Sequence, residues 1–281
     1  MESECVVCKI RQVWDLCNFV NADEDQRQAV LNRTMELLMQ RDNKEIMSEI
    51  SFLIAEDVKQ ILDLDDPYAE LKKESIDKSL AIYPRLKDMV RASKNPLKTA
   101  VEICIAGNVI DFGPSASHDI EKAVDEVLGT EKSHFDWGSF KETLAGSNEI
   151  LFLADNAGET VFDRVLIEEI GKRIIYAVKS GPAMNDALRE DANASGLEGL
   201  VEIVENGSPT SGTQLGRCSD EFLNLYRNAE MVISKGQANF ETLVEEKRRV
   251  FFLFKVKCNL LSKKHSIPLN EYVLLDNATI Q

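Results

Sequence analysis

Residues 150–159 read Ile150-Leu151-Phe152-Leu153-Ala154-Asp155-Asn156-Ala157-Gly158-Glu159. The apolar half, bounded by polar and glycine residues, predicts a short buried β-strand. Such a strand would deliver Asp155 and Asn156 to the carboxyl edge of a sheet, where open α/β sheets bind their ligands. Carboxylate and amide oxygens suit Mg²⁺ or Mn²⁺, whereas thiolates and imidazoles suit zinc. The segment therefore indicates a cation site in an α/β protein.

The rest of the second half of the chain repeats this strand pattern. Apolar runs that predict strands are 150–153, 174–178, 201–204, 231–233 and 250–254, with a weaker one at 272–275. The segments between them that predict helices are 160–172, 183–194, 219–228 and 240–247. Alternating strands and helices are typical of a mostly parallel sheet with helices on both faces.

The first half of the chain has a different pattern. Apolar residues recur every three or four positions over 24–41 and 43–64, which predicts amphipathic helices, and further helices are expected over 68–92 and after Asn95-Pro96. No strand pattern interrupts this half. We therefore predict an all-helical region over residues 1–145 and an αβα catalytic domain over residues 146–281.

Composition excludes several classes of function. The chain has 281 residues, of which 33 are Lys or Arg and 48 are Asp or Glu, so its formal charge is −15. Such an acidic chain has no electrostatic footprint for nucleic acid or for anionic lipid. It shows neither a signal-peptide pattern nor an apolar run long enough to span a membrane. Six scattered cysteines favour a reduced, cytoplasmic protein.

Polar and glycine residues follow each of the first five predicted strands. These segments are 155–159, 179–182 with Asn185-Asp186, 205–213, 234–241 and 255–258. Taken singly they have ordinary interpretations as turns, helix N-caps or exposed lysines. In a parallel sheet, however, they would all lie at one edge, where carboxylates, lysines and the N–H groups of glycine loops can hold a metal and a phosphate. Their convergence favours a functional site.

The motifs at these strand ends resemble those of the damage-control phosphatase family of metal-dependent phosphatases. The resemblance covers nearly the whole chain and is closest to the short stand-alone subfamily with Cys-x-x-Cys and Lys-Cys motifs. The motifs that carry it are Cys5-x-x-Cys8 with Gln12, Gly107-Asn108-x-x-Asp111-Phe112, Asp155-Asn156-Ala157-Gly158-Glu159, Asn185-Asp186, Lys235-Gly236-Gln237-Ala238-Asn239-Phe240-Glu241 and Lys257-Cys258. It implies a three-layer αβα, Rossmann-like domain with a helical N-terminal region.

The resemblance also implies a role for individual residues. Asp155, Asn156 and Asp186 correspond to the ligands of a divalent metal, which in this family is Mn²⁺, Ni²⁺, Co²⁺ or Mg²⁺. Lys257 corresponds to the lysine that meets the transferred phosphoryl group. The residues expected to bind substrate are Glu159, Lys235, Gly236, Asn239, Asn108 and Asp111. The expected substrate is a small phosphate monoester, such as a sugar phosphate or a damaged phosphometabolite.

Two questions about mechanism and motifs stay open at the level of sequence. Asp155 could bind the metal while water attacks phosphorus, or it could itself attack and form an aspartyl phosphate; we favour water, because a carboxylate committed to a metal is a poorer nucleophile. Cys5 and Cys8 share a helix face and could pack inward, or they could form half of a metal or redox site. Asn108 and Asp111 could reach the site or merely cap a helix.

Two other functions are compatible with parts of the sequence. An S-adenosylmethionine-dependent carboxyl methyltransferase would also place acidic residues after successive strands, but the chain has no Gly-x-Gly-x-x-Gly after its first strand. A non-enzymatic protein that binds a metal or a phosphometabolite is the other alternative. The sequence predicts no oligomeric state.

Overall fold

Six strands form a single sheet in the order β3-β2-β1-β4-β5-β6. The computed structural model describes residues 3–40, 47–108, 120–130 and 132–280. The strands are β1 Glu149–Leu153, β2 Arg173–Val178, β3 Glu202–Glu205, β4 Met231–Lys235, β5 Phe251–Lys255 and β6 Tyr272–Asp276. All neighbouring pairs are parallel except β5 and β6, which are antiparallel. The predicted fold class, a mostly parallel Rossmann-like sheet, is confirmed.

Helices precede the sheet and then alternate with its strands. Those before β1 are α1 Ser3–Phe19, α2 Glu24–Gln40, α3 Met47–Leu62, α4 Ala69–Ala92, α5 Pro96–Gly107, α6 Ile120–Gly129 and α7 Trp137–Gly146. Those that follow β1 are α8 Thr160–Ile170, α9 Arg189–Ala194, α10 Asp220–Asn228, α11 Gln237–Leu243 and α12 Asn259–His265. None of the helices in the described ranges combines the length and the apolar character of a membrane span.

Both faces of the sheet are covered by helices, because side chains of a strand point alternately to opposite faces. Ile150 and Phe152 of β1 belong to a core shared with α4–α8, whereas Leu151 and Leu153 belong to a core shared with α10–α12. The sheet is thus the middle of three layers.

The helical first half does not pack as one unit. Side chains of α1, α2 and α3 form a separate apolar cluster around Val30, Ile50 and Ile54. Side chains of α4–α7, in contrast, join the core on one face of the sheet. Among the described residues no strand precedes β1, as predicted, but the apolar cluster of α1–α3 is distinct from the two cores of the sheet. The predicted division into domains at residue 145 remains a prediction.

Two predicted helices are wrong over part of their length. The helix predicted over 240–247 is α11 Gln237–Leu243, which begins and ends earlier. The pattern of 183–194 predicts a helix throughout, but α9 begins only at Arg189. The preceding residues pair with the end of β1 instead: the Ala187 N–H donates to Asp155 O at 2.7 Å, and the Ala157 N–H donates to Asn185 O at 2.9 Å. This long-range pairing satisfies backbone groups that a helix would otherwise use, and it overrides local propensity.

The order of the strands determines where a ligand can bind. From β1 to β3 the strands are added toward one edge of the sheet, and from β4 to β6 toward the other. The order therefore reverses between β1 and β4, which are parallel neighbours at the centre although they lie far apart in the sequence. Crevices outside the carboxyl ends of strands at such a switch point are where open α/β sheets bind ligands. Asp155 follows β1 and Lys235 ends β4, so both predicted motifs lie at this point.

Candidate active site

A cleft of about 280 Å³ opens at the carboxyl edge of the sheet. The residues predicted from sequence that line it are Asn108, Asp155, Asn156, Asp186 and Lys257. Other members of the predicted motifs also line it, namely Gln12, Asn185, Gln237, Ala238 and Glu241. Its remaining wall is formed by residues outside those motifs: Lys9, Ser51, Met184, Ser211 and Thr242. The cleft therefore draws on the ends of several strands, on α11 and on the helices α1 and α3 of the first half.

Asp155 lies at the centre of this edge. Its carboxylate is 7% exposed, and its Oδ2 accepts hydrogen bonds from Asn108 Nδ2 at 3.2 Å and from Asn156 Nδ2 at 3.1 Å. Neither Asp155 nor Asn156 caps a helix with its side chain in this structure, since the helical turn after Asn156 has no side-chain cap. The ordinary interpretation of this motif as a helix cap is therefore wrong.

Gly236 allows β4 to pass directly beside Asp155. A Cβ atom at this position would lie 2.0 Å from Asp155 Oδ2, and the residue has φ of +81°. Both conditions exclude a side chain, because atoms cannot approach so closely and L-residues rarely adopt this φ. The glycine of the Lys235-Gly236 motif thus shapes the space around the carboxylate and does not itself line the cleft.

Asp186 reaches the same place through the pairing of 185–187 with the end of β1. The bridge between Asn156 and Asp186 aligns the two residues side by side. Asp186 Oδ1 lies 3.4 Å from Ser211 Oγ, and Oδ2 lies 3.5 Å from Lys179 Nζ. Within the described chain Oδ2 accepts no hydrogen bond although it is buried. A buried carboxylate oxygen that accepts no hydrogen bond, and whose cationic neighbour Lys179 is as far as 3.5 Å away, can take a further cation as partner.

The electrostatics of these carboxylates also favour a cation. Burial, with added repulsion from Glu159 and Asp186, raises the pKa of Asp155 well above its ordinary value. Burial raises the pKa of Asp186 to about 6, although Lys179 opposes the shift. Four acidic residues here are at most 7% exposed: Asp155, Glu159, Asp163 and Asp186. Two buried lysines, Lys179 and Lys235, lie beside them. A divalent cation would offset the two excess negative charges.

The donor set fits a hard cation. Asn156 Nδ2 donates to Asp155 and to Glu159 Oε1, so its carbonyl oxygen is the atom left to bind a metal. Among the described residues no group of three or more His, Cys, Asp or Glu side chains is arranged to hold a metal ion. The candidate set therefore depends on the amide of Asn156 together with the carboxylates of Asp155 and Asp186, oxygen ligands that suit Mg²⁺ or Mn²⁺.

Behind Asp155 lies a buried ionic network centred on Lys235. Its Nζ, wholly buried, lies 2.8 Å from Glu159 Oε2 and 2.7 Å from Asp163 Oδ1. Glu159 Oε1 in turn accepts hydrogen bonds from the side chains of Asn108 and Asn156, each at 2.8 Å. Although burial opposes it, the carboxylates raise the pKa of Lys235 well above its ordinary value, so the ammonium stays charged.

Three residues predicted to touch substrate are therefore placed behind the cleft and not on its wall. Lys235 and Glu159 pair with each other, and Asn239 uses its amide to hold backbone oxygens of Ala154 and Lys235. Of the three, Glu159 is connected to the cleft by its hydrogen bonds with the side chains of Asn108 and Asn156. Direct contact between these residues and substrate stays a prediction.

The other predicted residues have varied positions. Asn108 is buried and, besides its contacts to Asp155 and Glu159, accepts a hydrogen bond from the Lys255 N–H at 3.0 Å; it is part of the site. Asp111 lies outside the described residues. Lys257 is exposed on the cleft wall. Cys5 and Cys8 do not line the cleft, and their metal or redox role stays a prediction.

Lys9 is a charged residue of the cleft that sequence reasoning missed. It lies on α1, on the wall shared with Asp186, and its Nζ donates to Gln12 Oε1 at 2.9 Å. Burial lowers the pKa of Lys9. In the described part of the chain no carboxylate lies within ion-pair distance of it. The only local signal for Lys9 is its place within the N-terminal motif, four residues after Cys5 and three before Gln12. Tertiary packing, and not the local sequence, brings α1 to the edge of the sheet.

Comparison with known proteins identifies the family. The model of the damage-control phosphatase ARMT1-like domain matches residues 1–273. The chain belongs to this family. It is 32% identical to a damage-control phosphatase of Pyrococcus horikoshii, over 99% of this chain and 98% of that protein. It is also 32% identical to an uncharacterized protein of Methanocaldococcus jannaschii, over 98% and 95% respectively.

A solved structure agrees with the membership. The crystal structure of a DUF89 family protein from Pyrococcus horikoshii matches with a TM-score of 0.87 and 31% identity, covering 99% of both chains. The resemblance inferred from the motifs is thereby confirmed over the whole chain. A phosphatase is also the class of enzyme that gives the family its name, in agreement with the predicted function.

Proposed function

We propose that the protein hydrolyses phosphate monoesters of small metabolites with the help of one divalent cation, by attack of water. The observation that carries this proposal is the convergence of Asp155, Asn156 and Asp186 beside a cleft at the switch point of the sheet, where the buried Oδ2 of Asp186 accepts no hydrogen bond within the described chain. Membership of a phosphatase family supports the class of reaction. Mn²⁺, Ni²⁺, Co²⁺ and Mg²⁺ are the candidate metals.

The proposed cation would be held by carboxylate oxygens of Asp155 and Asp186 and by Oδ1 of Asn156. When bound, it would polarise a phosphoryl oxygen and lower the pKa of a water molecule, which is the chemistry that hydrolysis of a phosphate ester needs. We favour water over the Asp155 carboxylate as nucleophile, because Asn108 and Asn156 already hold Oδ2 in place.

The lysines of the cleft have the complementary task. Lys257 and Lys9 present ammonium groups to the same cleft as the proposed metal ligands. Ammonium groups stabilise the negative charge on the phosphoryl oxygens as the bond to the leaving group loosens. Lys235 acts from behind: it neutralises Glu159, whose other oxygen orients the amides of Asn108 and Asn156. Through these amides it keeps Asp155 directed at the metal position.

A screen of divalent metals against phosphate esters tests the proposal. Purified protein, freed of metal and then supplied with each cation, should release phosphate from several sugar phosphates and from a chromogenic ester. Asp155→Ala should abolish both metal binding and turnover while the circular dichroism spectrum stays unchanged. Asp220→Ala, at an exposed acidic position on α10, is the matched control and should keep full activity. Full activity in Asp155→Ala would remove the core of the proposal.

The setting of the proposed reaction follows from the same observations. The substrate is a small phosphate ester, and a formal charge of −15 gives the chain no net attraction for nucleic acid. The location that we propose is the cytoplasm, because the sequence has few and scattered cysteines.

A further inference from the structure

A second, smaller crevice opens beside the cleft, between α1, α3 and the segment that carries Asp186. Its volume is about 30 Å³. Four side chains line both spaces: Lys9, Gln12, Ser51 and Met184. A molecule bound at the proposed metal position can therefore extend past Lys9 and Gln12 into the crevice without leaving the protein surface.

The walls of the crevice differ in character from those of the cleft. Val13 and Leu16 of α1 face Ile54 and Val58 of α3, and each of the four is at most 6% exposed. Ser51, Ala55 and Lys59 also line the α3 side, and Asp66 and Tyr68 add polar atoms at the same crevice. In the part that the four apolar side chains enclose, a water molecule finds few polar partners. That part of the crevice is suited to carbon atoms.

Met184 connects the crevice to the catalytic edge. It lies two residues before Asp186 and has φ of 55°, in the left-handed region that a residue with a side chain adopts at an energetic cost. Its side chain lines both the cleft and the crevice. The segment that delivers the proposed metal ligand thus also forms a wall of the apolar space.

We propose that this crevice is the subsite for the alcohol part of the substrate, and that it selects phosphate esters whose alcohol carries a short apolar group. The inference rests on the proposed phosphatase function. With the phosphate at Asp155 and Asp186, the ester's carbon atoms must leave toward another wall of the cleft, and the crevice is the apolar continuation that α1 and α3 provide. Its volume of about 30 Å³ admits about two carbon-sized groups.

A series of straight-chain alkyl phosphates tests the subsite. Methyl, ethyl, propyl, butyl and hexyl phosphate have leaving groups of nearly the same basicity, so differences in kcat/KM report binding of the chain. We expect kcat/KM to rise about fourfold for each methylene group that enters the crevice, over about two groups, and to rise no further with longer chains. Equal kcat/KM across the series would overturn the inference while leaving the phosphatase function intact.

Three variants separate the subsite from general damage. Ala55→Leu fills the crevice and should remove the rise with chain length, while kcat/KM for methyl phosphate stays within about twofold of the wild-type value. Val58→Ala widens the crevice and should extend the rise by about one more methylene group. Ala81→Leu, at an exposed position of α4, should change nothing.

The outcomes are distinguishable from failure of the proposed function. The two crevice variants are expected to have opposite effects on esters with long chains, whereas a fold defect would lower kcat/KM for all esters alike. If both variants are correctly folded and lose the same kcat/KM for every ester, the result contradicts the subsite. If wild-type protein turns over no ester with any metal, the proposed function fails and the subsite falls with it.

Discussion

Gly236 is the single residue on which the space around Asp155 most depends. A Cβ atom there would lie 2.0 Å from Asp155 Oδ2. Gly236→Ala should therefore displace the carboxylate and abolish metal binding, measured by calorimetric titration with Mn²⁺. Gly171 is the matched control, because it also has positive φ but has no atom within 4 Å of a built Cβ. Gly171→Ala should cost about 1–2 kcal/mol of stability and leave metal affinity unchanged; equal loss of affinity in both variants would contradict this account.

Lys235 is expected to matter for stability more than an exposed lysine of the same site. Lys235→Met leaves Glu159 and Asp163 buried without their cation, which should destabilise the fold by about 3–5 kcal/mol in a urea unfolding experiment. Lys257→Met removes a lysine from the exposed wall of the cleft and should lower turnover with little change in unfolding free energy. If Lys235→Met unfolds at the wild-type urea concentration, the buried ion pairs do not have the role assigned to them.

Asp186 makes the stability of the metal-free protein depend on pH. Its pKa in the folded protein is raised to about 6, mainly by burial, from an ordinary value of 3.8. A raised carboxyl pKa means that the folded state holds the proton more tightly. The corresponding stability is fully present below pH 3.8 and is lost as the pH rises through about 6. Burial raises the pKa of Asp155 in the same direction.

A metal competes with these protons, so its effect should grow with pH. The rise in Tm caused by saturating Mn²⁺ should be small at pH 5 and large at pH 7, in differential scanning fluorimetry. Asp186→Asn should reduce this pH dependence and leave the part that Asp155 contributes. An equal rise in Tm at both pH values in the wild-type protein would contradict binding of the metal by these two carboxylates.

At the scale of elements, the pairing of 185–187 with the end of β1 is what assembles the candidate site. This short bridge holds Asp186 beside Asn156 through two backbone hydrogen bonds of 2.7 and 2.9 Å. Because a bound cation would tie the two segments together, Mn²⁺ should slow amide hydrogen exchange in peptides that cover 155–159 and 183–188. The helix α2 Glu24–Gln40, which packs in the separate α1–α3 cluster, should exchange at the same rate with and without metal.

The same segment shows a limit of prediction from sequence. Its composition predicts a helix from residue 183, and nothing local reveals that Ala187 donates its N–H to Asp155 O, 32 positions earlier in the chain. Helix α10, in contrast, begins where the sequence predicts it, because Ser219 caps it by accepting from the Phe222 N–H at 3.2 Å. The extent of a helix that depends on local residues can be predicted from the sequence, whereas a contact between distant segments cannot.

At the scale of the whole molecule, the sequence was sufficient for the layers and for the edge at which the candidate site lies. Continuous apolar runs separated by helical segments led to the parallel sheet, and polar residues after the strands led to its carboxyl edge. Asp155, Asn156, Asp186, Asn108 and Lys257 do meet at one cleft. The contribution of Lys9 could not be predicted, because it depends on how α1 docks against a sheet more than a hundred residues away.

The burial of Lys235 could not be predicted from the sequence either. Its partners Glu159 and Asp163 lie 76 and 72 residues away in the chain, and a lysine that ends a strand looks the same whether it faces a phosphate or a buried carboxylate. The fold therefore assigns it a supporting position that the motif alone did not distinguish from substrate contact.

The central claim is that one divalent cation binds between Asp155, Asn156 and Asp186. Anomalous diffraction from a crystal grown with saturating Mn²⁺, at a wavelength where manganese scatters anomalously, tests this most directly. The account predicts one strong peak per chain, within about 2.5 Å of an oxygen of each of the three side chains. A peak beside Cys5 and Cys8 instead, or no peak at this edge of the sheet in protein that is active under the same conditions, would contradict it.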